Sequence, residues 1–538
     1  MLESYSSKHD SWLGWFLKGL LILGTLILLG RLIELQVVKG NYYRELSEGN
    51  RIREVTIQAP RGKVLARGGE TLVGNREVKK EVVFSPESGY TKKDANTASD
   101  SADLIIEWKR NYLSGESLAH VGGYVGYVNT EEVGRVDPGC TYKGPLRADS
   151  VVGRGGLEEW YNCLLSGRDG QELIEVDTSG KKVRLWGKED PIPGQDIKTN
   201  IDKGLQEKVA EVMKDVVGAV VVTDTKGEVL SLFSSPSFDP NIFVDKGNEE
   251  KISEVLTSAQ TPLYNRAISG LYHPGSVFKQ VVAIAALEEG MIDKDYLFND
   301  TGQIVIENMY GTYTYNNWYF TQNGGQEGEI GVTRAITRST DTFFYKVGEL
   351  LGIEKLSSWA KKYGLGSVSG IDLPGEAPGL VPDPEWKEKT KNEQWFLGNT
   401  YHMSIGQGDL AITPLLVNTI TSVTASGGKL CTPRLVGNGD CKDLGIKKGN
   451  IDLLKEGMGG ACSSGGTGYT FFDADPKVGC KTGTAETMEK DITHAWFTFF
   501  APLDDPEIVV TVFVEKGGEG SKVAGPIARQ IYNFWFKK

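Results

Sequence analysis

Ser276 and Lys279 stand three residues apart in the stretch Tyr272-His273-Pro274-Gly275-Ser276-Val277-Phe278-Lys279. A Pro-Gly turn leads into the apolar, helix-tolerant run Gln280 to Glu289, so the pattern predicts a helix that opens at the serine. Residues three apart share a helix face, which sets the Lys279 amine beside the Ser276 hydroxyl. A serine is a poor nucleophile until a base removes its proton. A lysine becomes that base when burial or a second cation lowers its pKa from about 10.4 towards neutrality. The pair reads as a nucleophile and its base. Ser-x-x-Lys also occurs at Ser179/Lys182, Ser358/Lys361 and Ser426/Lys429, none with a Pro-Gly turn and an apolar helix. Specificity therefore rests on two later clusters. Ser339-Thr340-Asp341 puts a hydroxyl and a carboxylate two apart, a pattern shared with Ser101/Asp103 and Ser237/Asp239. Lys481-Thr482-Gly483-Thr484 holds a Lys-Thr-Gly that occurs once.

The elements that must position these residues follow from periodicity and turn signals. Gly218 to Val222 and Val229 to Phe233 read as two apolar strands joined at Lys226-Gly227. Ala495 to Phe500 and Ile508 to Val514 are further strands, and Ile527 to Phe536 is a closing helix. Between them lie a helix from the capping segment Thr199–Asp202 to about Val216, one from Glu349 to Tyr363, and a buried one from Thr413 to Ala425. A Gly/Pro-rich loop covers Gly364 to Pro384. Strands at both ends around a helical block predict one mixed α/β domain over 196–538.

Upstream, Trp12 to Gly30 is apolar apart from Lys18 and Thr25, and Leu32 to Val38 extends it. About 20 apolar residues cross a bilayer as a helix, with Trp12 and Trp15 suited to the interface. A cleaved signal peptide is the rival; no small-x-small cleavage site follows and the run is long. Lys8 and Lys18 against Arg31, Lys39 and Arg44 leave orientation undecided by charge. Residues 39–195 read as an irregular α+β module without assignable chemistry. It has strands within 51–85, broken by the Ala59-Pro60-Arg61-Gly62 turn, and at Gly122 to Val128 and Glu172 to Val176. A polar loop spans 86–118, with one short helix near Leu104 to Tyr112.

The 538 residues allow two to four domains. A net charge of −12 argues against a nucleic-acid partner, which wants a basic surface. Five histidines and six cysteines show neither ligand spacing nor a C-x-x-C pair, so no metal and no cofactor is expected. Cys431/Cys441 and Cys462/Cys480 are locally plausible disulfides, with free buried thiols the alternative.

The ordered set Ser-x-x-Lys, Ser-x-Asp, Lys-Thr-Gly resembles that of penicillin-binding proteins and serine β-lactamases. Asn50–Arg53, Ala59–Gly62, Ala119–Gly126, Gly156-Leu157-Glu158 and Pro236–Asn241 resemble signatures of class B penicillin-binding proteins. So do Ser404–Gly408 with Thr413-Pro414-Leu415, and His494–Phe497. The likeness runs from residue 11 to the C-terminus. Departures are Ala66, Gly68, Val277, Cys480 and a short 86–118 stretch.

The resemblance implies four parts. These are a cytoplasmic tail (1–10), a single transmembrane helix with a juxtamembrane extension (11–38), a non-catalytic α+β pedestal for dimerisation or partners (39–195), and a transpeptidase domain (196–538). The last would have an antiparallel sheet with flanking helices plus an all-helical subdomain. The implied activity is peptidoglycan D,D-transpeptidation outside the cytoplasm, at the bacterial cell membrane. Ser276 would attack D-Ala-D-Ala, with Lys279 as base, Lys481 as the nearby cation, Ser339 as relay and Asp341 as orienter. The Lys481–Thr484 strand would be an open sheet edge on which substrate adds. There Thr482 and Thr484 would bind the terminal carboxylate, and Gly483 would leave room. Implied partners are stem peptides, β-lactam antibiotics, the membrane and a multi-pass glycosyltransferase of the elongation machinery. Asp341 and the segment Trp395 to Gly408 lean toward elongation rather than division. Arg61, Gly406 and Gln407 read as structural or partner-facing, Trp496 as core, and His273 as a loop residue shaping the cleft mouth. The rivals are a β-lactam hydrolase or sensor, against which stands the lack of Glu-x-x-Leu-Asn between Asp341 and Lys481, and a non-catalytic scaffold.

Overall fold

The computed structural model describes residues 11–85, 89–94, 104–177, 182–309 and 311–537. The expected tail 1–10, and residues 86–88 and 95–103 of the expected 86–118 loop, lie outside them. The apolar run forms the helix Ser11–Ile33, continued by a π-helical turn Glu34–Val38. Among the described residues it is the one helix long and apolar enough to cross a membrane, over Trp12–Val38. Its 27 residues reach about 40 Å at helical rise, longer than a hydrocarbon core of about 30 Å.

The chain divides into two compact units, the apolar helix falling in the smaller. The smaller holds the described parts of Met1–Pro60, Glu77–Trp108 and Arg168–Pro193; the larger holds Arg61–Arg76, Lys109–Gly167 and Gly194–Lys538. In the smaller, the strands Ile52–Ile57, Gly170–Val176 and Lys182–Glu189 form an antiparallel sheet with Gly170–Val176 central. Leu104–Tyr112 is a strand, not the expected helix. Ile105, Ile106 and Trp108 favour a pleated surface, and at its end Arg110 and Tyr112 are buried on either side of half-buried Asn111, the period of a strand.

The larger unit is built on a five-stranded antiparallel sheet. Its order is Val229–Ser235, Gly218–Thr223, Ile508–Val514, Thr493–Ala501 and Gly479–Glu486. Strand residues alternate between two cores. Val220, Val222, Val510 and Val512 meet the helices Lys203–Val212 and Ala524–Phe536 on one face. Ala219, Val221, Val509 and Phe513 join the core of Lys279–Glu288 and Pro414–Ala425 on the other. The first edge is closed, because the Gln206 side chain accepts from Leu232 N–H and donates to Leu232 C=O. The far edge, Gly479–Glu486, pairs on one side alone among the described residues. An unpaired edge is a template for another strand.

The helical block differs from expectation in detail. The predicted Glu349–Tyr363 helix is two, Asp341–Leu351 and Ile353–Lys362, broken at Gly352 with φ 75° and ψ 157°. The predicted cap holds: Asp202 accepts from Leu205 N–H at 2.9 Å and starts Lys203–Val212, shorter than expected. Three disulfides form, Cys431–Cys441, Cys462–Cys480 and Cys140–Cys163. The last spans 23 residues and carried no local signal.

Two of the sequence signatures meet in one ion cluster. Glu158 is fully buried between Arg61, 2.7 Å from Nη2 to Oε2, and Arg110. Burial alone would raise the Glu158 carboxyl, but the two guanidiniums outweigh it and hold it below the ordinary value. Such a carboxyl stabilises the fold above its unfolded pKa and loses that contribution as pH falls through the depressed folded value. Glu158→Gln leaves two buried guanidiniums short of charge and should cost about 3–5 kcal/mol. Urea unfolding at neutral pH should show that gap, and it should narrow in acid; variants equally stable at pH 7 would contradict it.

Candidate active site

The Pro-Gly turn delivers Ser276 in a 3-10 turn, Gly275–Phe278, that runs into the helix Lys279–Glu288. Every residue of that helix from Lys279 to Leu287 is buried, because its apolar sides all meet core. Ser276 is half-buried on the wall of a cleft of about 630 Å³, shared with Ser339, Asp341, Thr482 and Thr484. Lys279 and Lys481 are fully buried behind that wall.

Ser339 joins the two lysines. Lys279 Nζ donates to Asp341 Oδ1 at 2.6 Å, to the Ser339 carbonyl at 2.8 Å and to Ser339 Oγ at 3.2 Å. Lys481 Nζ donates to the same Oγ at 2.7 Å and to the Thr482 carbonyl at 3.0 Å. Ser339 ends the helix Val332–Arg338 in the left-handed region, φ 57° and ψ 38°. That conformation in a serine costs of order 1–3 kcal/mol and persists where surroundings over-determine it. Asp341 then opens the next helix, so one tight turn sets hydroxyl and carboxylate on either side of Lys279.

Burial pushes both lysines below their ordinary value. On Lys279 the opposing pull is Asp341, which favours the proton. On Lys481 the neighbouring Lys279 charge adds to burial and drives the amine well down. Burial is thus the leading cause on Lys279, one of the two that the sequence offered, and the repulsion between the two ammoniums acts on both.

The edge strand Gly479–Glu486 carries the third motif in register with Thr493–Ala501, Gly483 opposite Trp496. A Cβ on Gly483 would lie 2.9 Å from Trp496 Cβ, 3.2 Å from the Pro274 carbonyl and 3.2 Å from Val277 Cγ2. The space this glycine leaves is therefore taken by the turn that carries Ser276, which is thereby fixed against the strand. Thr482 Oγ1 donates to Thr467 Oγ1 at 2.9 Å, and Cys462–Cys480 pins the strand one residue before Lys481.

Sequence reasoning missed several walls of the cleft. Gln407, read as structural or partner-facing, lines it and aims its amide at the Thr484 carbonyl at 3.4 Å. Tyr315, Trp318, Arg338, His402 and Thr467 also line it. The place of Ser404–Gly408 among the signatures of the resemblance was the available signal for Gln407. Trp496 is core as expected, its indole N–H donating to the His273 carbonyl at 3.0 Å. His273 Nδ1 lies 2.6 Å from the Leu410 carbonyl, and the residue is not on the cleft wall.

The penicillin-binding protein transpeptidase domain matches residues 217–533, and the penicillin-binding protein dimerisation domain matches 94–199. This chain belongs to the penicillin-binding protein transpeptidase family. Among its relatives is "Peptidoglycan D,D-transpeptidase MrdA" of Haemophilus influenzae, 30% identical over 97% of this chain and 90% of that one. The protein of that name from Escherichia coli K12 is 30% identical over 95% and 92%. Among solved structures, the penicillin-binding protein PBP2 of Helicobacter pylori, in a complex with MreC, superposes with a TM-score of 0.78. It is 27% identical and covers 90% of this chain and 99% of that one. PBP2 of Pseudomonas aeruginosa, in complex with WCK 5153, gives 0.74 at 30% identity, over 90% and 97%.

A lysine that is to act as a general base must lose its proton before it works. With both amines depressed, the rate of acylation by a β-lactam should rise with pH and level off below the ordinary lysine value. A rate still climbing through about pH 10.4, the ordinary lysine value, would contradict the geometry.

Proposed function

We propose that this chain is a membrane-anchored peptidoglycan D,D-transpeptidase of the cell-elongation type. The carrying observation is one hydroxyl, Ser339 Oγ, held between two buried lysine amines beside an open sheet edge. The names and near-full coverage of the relatives support the reaction and the elongation role. Ser276 Oγ attacks the carbonyl of the D-Ala-D-Ala peptide bond and Lys279 takes its proton. Ser339 passes a proton to the leaving amine, along a path the two amines already frame. Lys481, on the far side of the same hydroxyl, holds Ser339 in place, and Asp341 orients Lys279. The stem peptide lies along Lys481–Thr484 as an added strand, with Thr482 and Thr484 on its carboxylate and the backbone N–H groups of Ser276 and Thr484 on the oxyanion. Removing one such donor costs roughly 10²–10³ in rate. The acyl-enzyme is then resolved by an amine of a neighbouring stem peptide.

In this reading 1–10 is cytoplasmic, 11–38 crosses the cell membrane once, 39–195 is the non-catalytic pedestal and 196–538 the catalytic domain outside the cytoplasm. Three disulfides suit an oxidising compartment. β-Lactams are the antibiotic ligands. The polymerising partner is a multi-pass membrane glycosyltransferase of the elongation machinery. Support comes from the likeness, at TM-score 0.76 over 98% of this chain, to a structure titled "Structural coordination of polymerization and crosslinking by a peptidoglycan synthase complex".

Incubation with a fluorescent penicillin should give one stoichiometric, slowly released adduct, mapped by mass spectrometry to Ser276. Ser276→Ala should abolish it, and Lys279→Ala should slow it by about 10²–10⁴, the usual worth of a general base. Labelling that survives Ser276→Ala refutes the assignment, while rapid catalytic turnover of a chromogenic cephalosporin favours a hydrolase.

A further inference from the structure

A buried carboxylate outside the cleft is linked to Asp341 through one hydrogen-bonded residue, Asn317. Asp300 ends the short strand Phe298–Asp300, is 1% exposed and does not line the cleft. Four donors converge on it. Gly302 N–H at 2.9 Å and the Thr342 hydroxyl at 2.6 Å meet Oδ1. Glu327 N–H at 2.9 Å and the Asn317 amide at 3.3 Å meet Oδ2. Asn317, fully buried, donates its backbone N–H to the Gly302 carbonyl at 2.8 Å and accepts from Asp341 N–H through Oδ1 at 3.1 Å.

The consequence falls on the next residue. Trp318 gives its backbone N–H to Asp341 Oδ2 at 2.9 Å, which leaves Oδ1 for the Lys279 amine at 2.6 Å. Asp341 can turn its other oxygen to Lys279 because Trp318 is held in place, and Trp318 is held because Asn317 is locked on Asp300. Thr342, beside Asp341 on its helix, is tied to the same carboxylate. A buried carboxylate is tolerated only where donors meet it, and here they come from four separate residues around the approach to Asp341.

We propose that Asp300 and Asn317 are positioning residues of the transpeptidase site, a buried pair that orients the Asp341 carboxylate and through it fixes the Lys279 amine. The proposal rests on the assignment of Ser276 and Lys279 as nucleophile and base. A purely structural role differs from it in what Lys279 experiences. The charged groups facing Lys279 are Asp341, from its helix, and Lys481, from the edge strand. Displacing Asp341 removes an acceptor and the charge that favours the Lys279 proton, so acylation slows while its acid limb moves to lower pH. A merely destabilised fold loses active molecules and leaves the limb in place.

The experiment follows the pH dependence of acylation by a fluorescent penicillin, using the full chain in detergent micelles. Asp300→Asn should slow acylation by up to about 10²-fold, the cost of a misplacement near 1 Å. Its reversible affinity for the drug should hold, and its acid limb should shift to lower pH. Thr342→Val, which removes one donor and keeps the volume, should slow it less and shift the limb the same way. A rate and limb for Asp300→Asn matching the parent overturn the proposal, as does a loss of labelled fraction with the limb unmoved. Should Asp300→Asn fail to fold, an unchanged rate and limb in Thr342→Val overturn it. Failure of the parent to label at Ser276 instead removes the reading of the site itself.

Discussion

Two lysine amines buried beside one hydroxyl are the constraint around which the catalytic unit is arranged. Lys279 and Lys481 both reach Ser339 Oγ, so their charges stand no more than about 6 Å apart. At an effective dielectric of about 20, two positive charges at that distance repel by roughly 3 kcal/mol, before the cost of taking either from water. One carboxylate, Asp341, touches one of the two. A single negative charge offsets a single ammonium, so the pair is driven to shed a proton. A site short of one proton is what a base needs, and burial supplies the force.

Holding that arrangement takes elements far apart in sequence. The helix after the Pro-Gly turn brings one amine, the edge strand the other, and a strained turn between two helices brings the hydroxyl. Gly483 lets the turn that carries Ser276 touch the strand, and the disulfide at Cys480 ties the same strand to the end of the helix Lys448–Ala461. The closed first edge of the sheet, at Val229–Ser235, matters as well. Gln206 satisfies the rim at Leu232, so among the described residues the rim beside Ser276 is the one left open.

The motif residues were legible in the sequence because chemistry demands particular side chains at short spacing. Ser276, Ser339, Asp341, Thr482 and Thr484 share one cleft, with both lysines behind it. The central strands were legible too, since Gly218–Thr223 and Ile508–Val514 are buried on both faces and so read as unbroken apolar runs. Leu104–Tyr112 was not, because its polar neighbours hid a two-residue alternation that depends on tertiary burial. Gly352 broke a helix that periodicity carried through, its φ of 75° being a property of the junction rather than of the flanking sequence. Gln407 and the Cys140–Cys163 bridge act through partners many residues away, which no local pattern encodes.

The most direct test of the shared hydroxyl is a structure of the full chain carrying a penicillin. The account predicts a bond from Ser276 Oγ to the opened lactam carbonyl, the drug's carboxylate against Thr482 and Thr484, and Ser339 Oγ within hydrogen-bond reach of the former lactam nitrogen. A drug bound through Ser276 with Ser339 turned away from that nitrogen, or with either amine swung out to solvent, would contradict it.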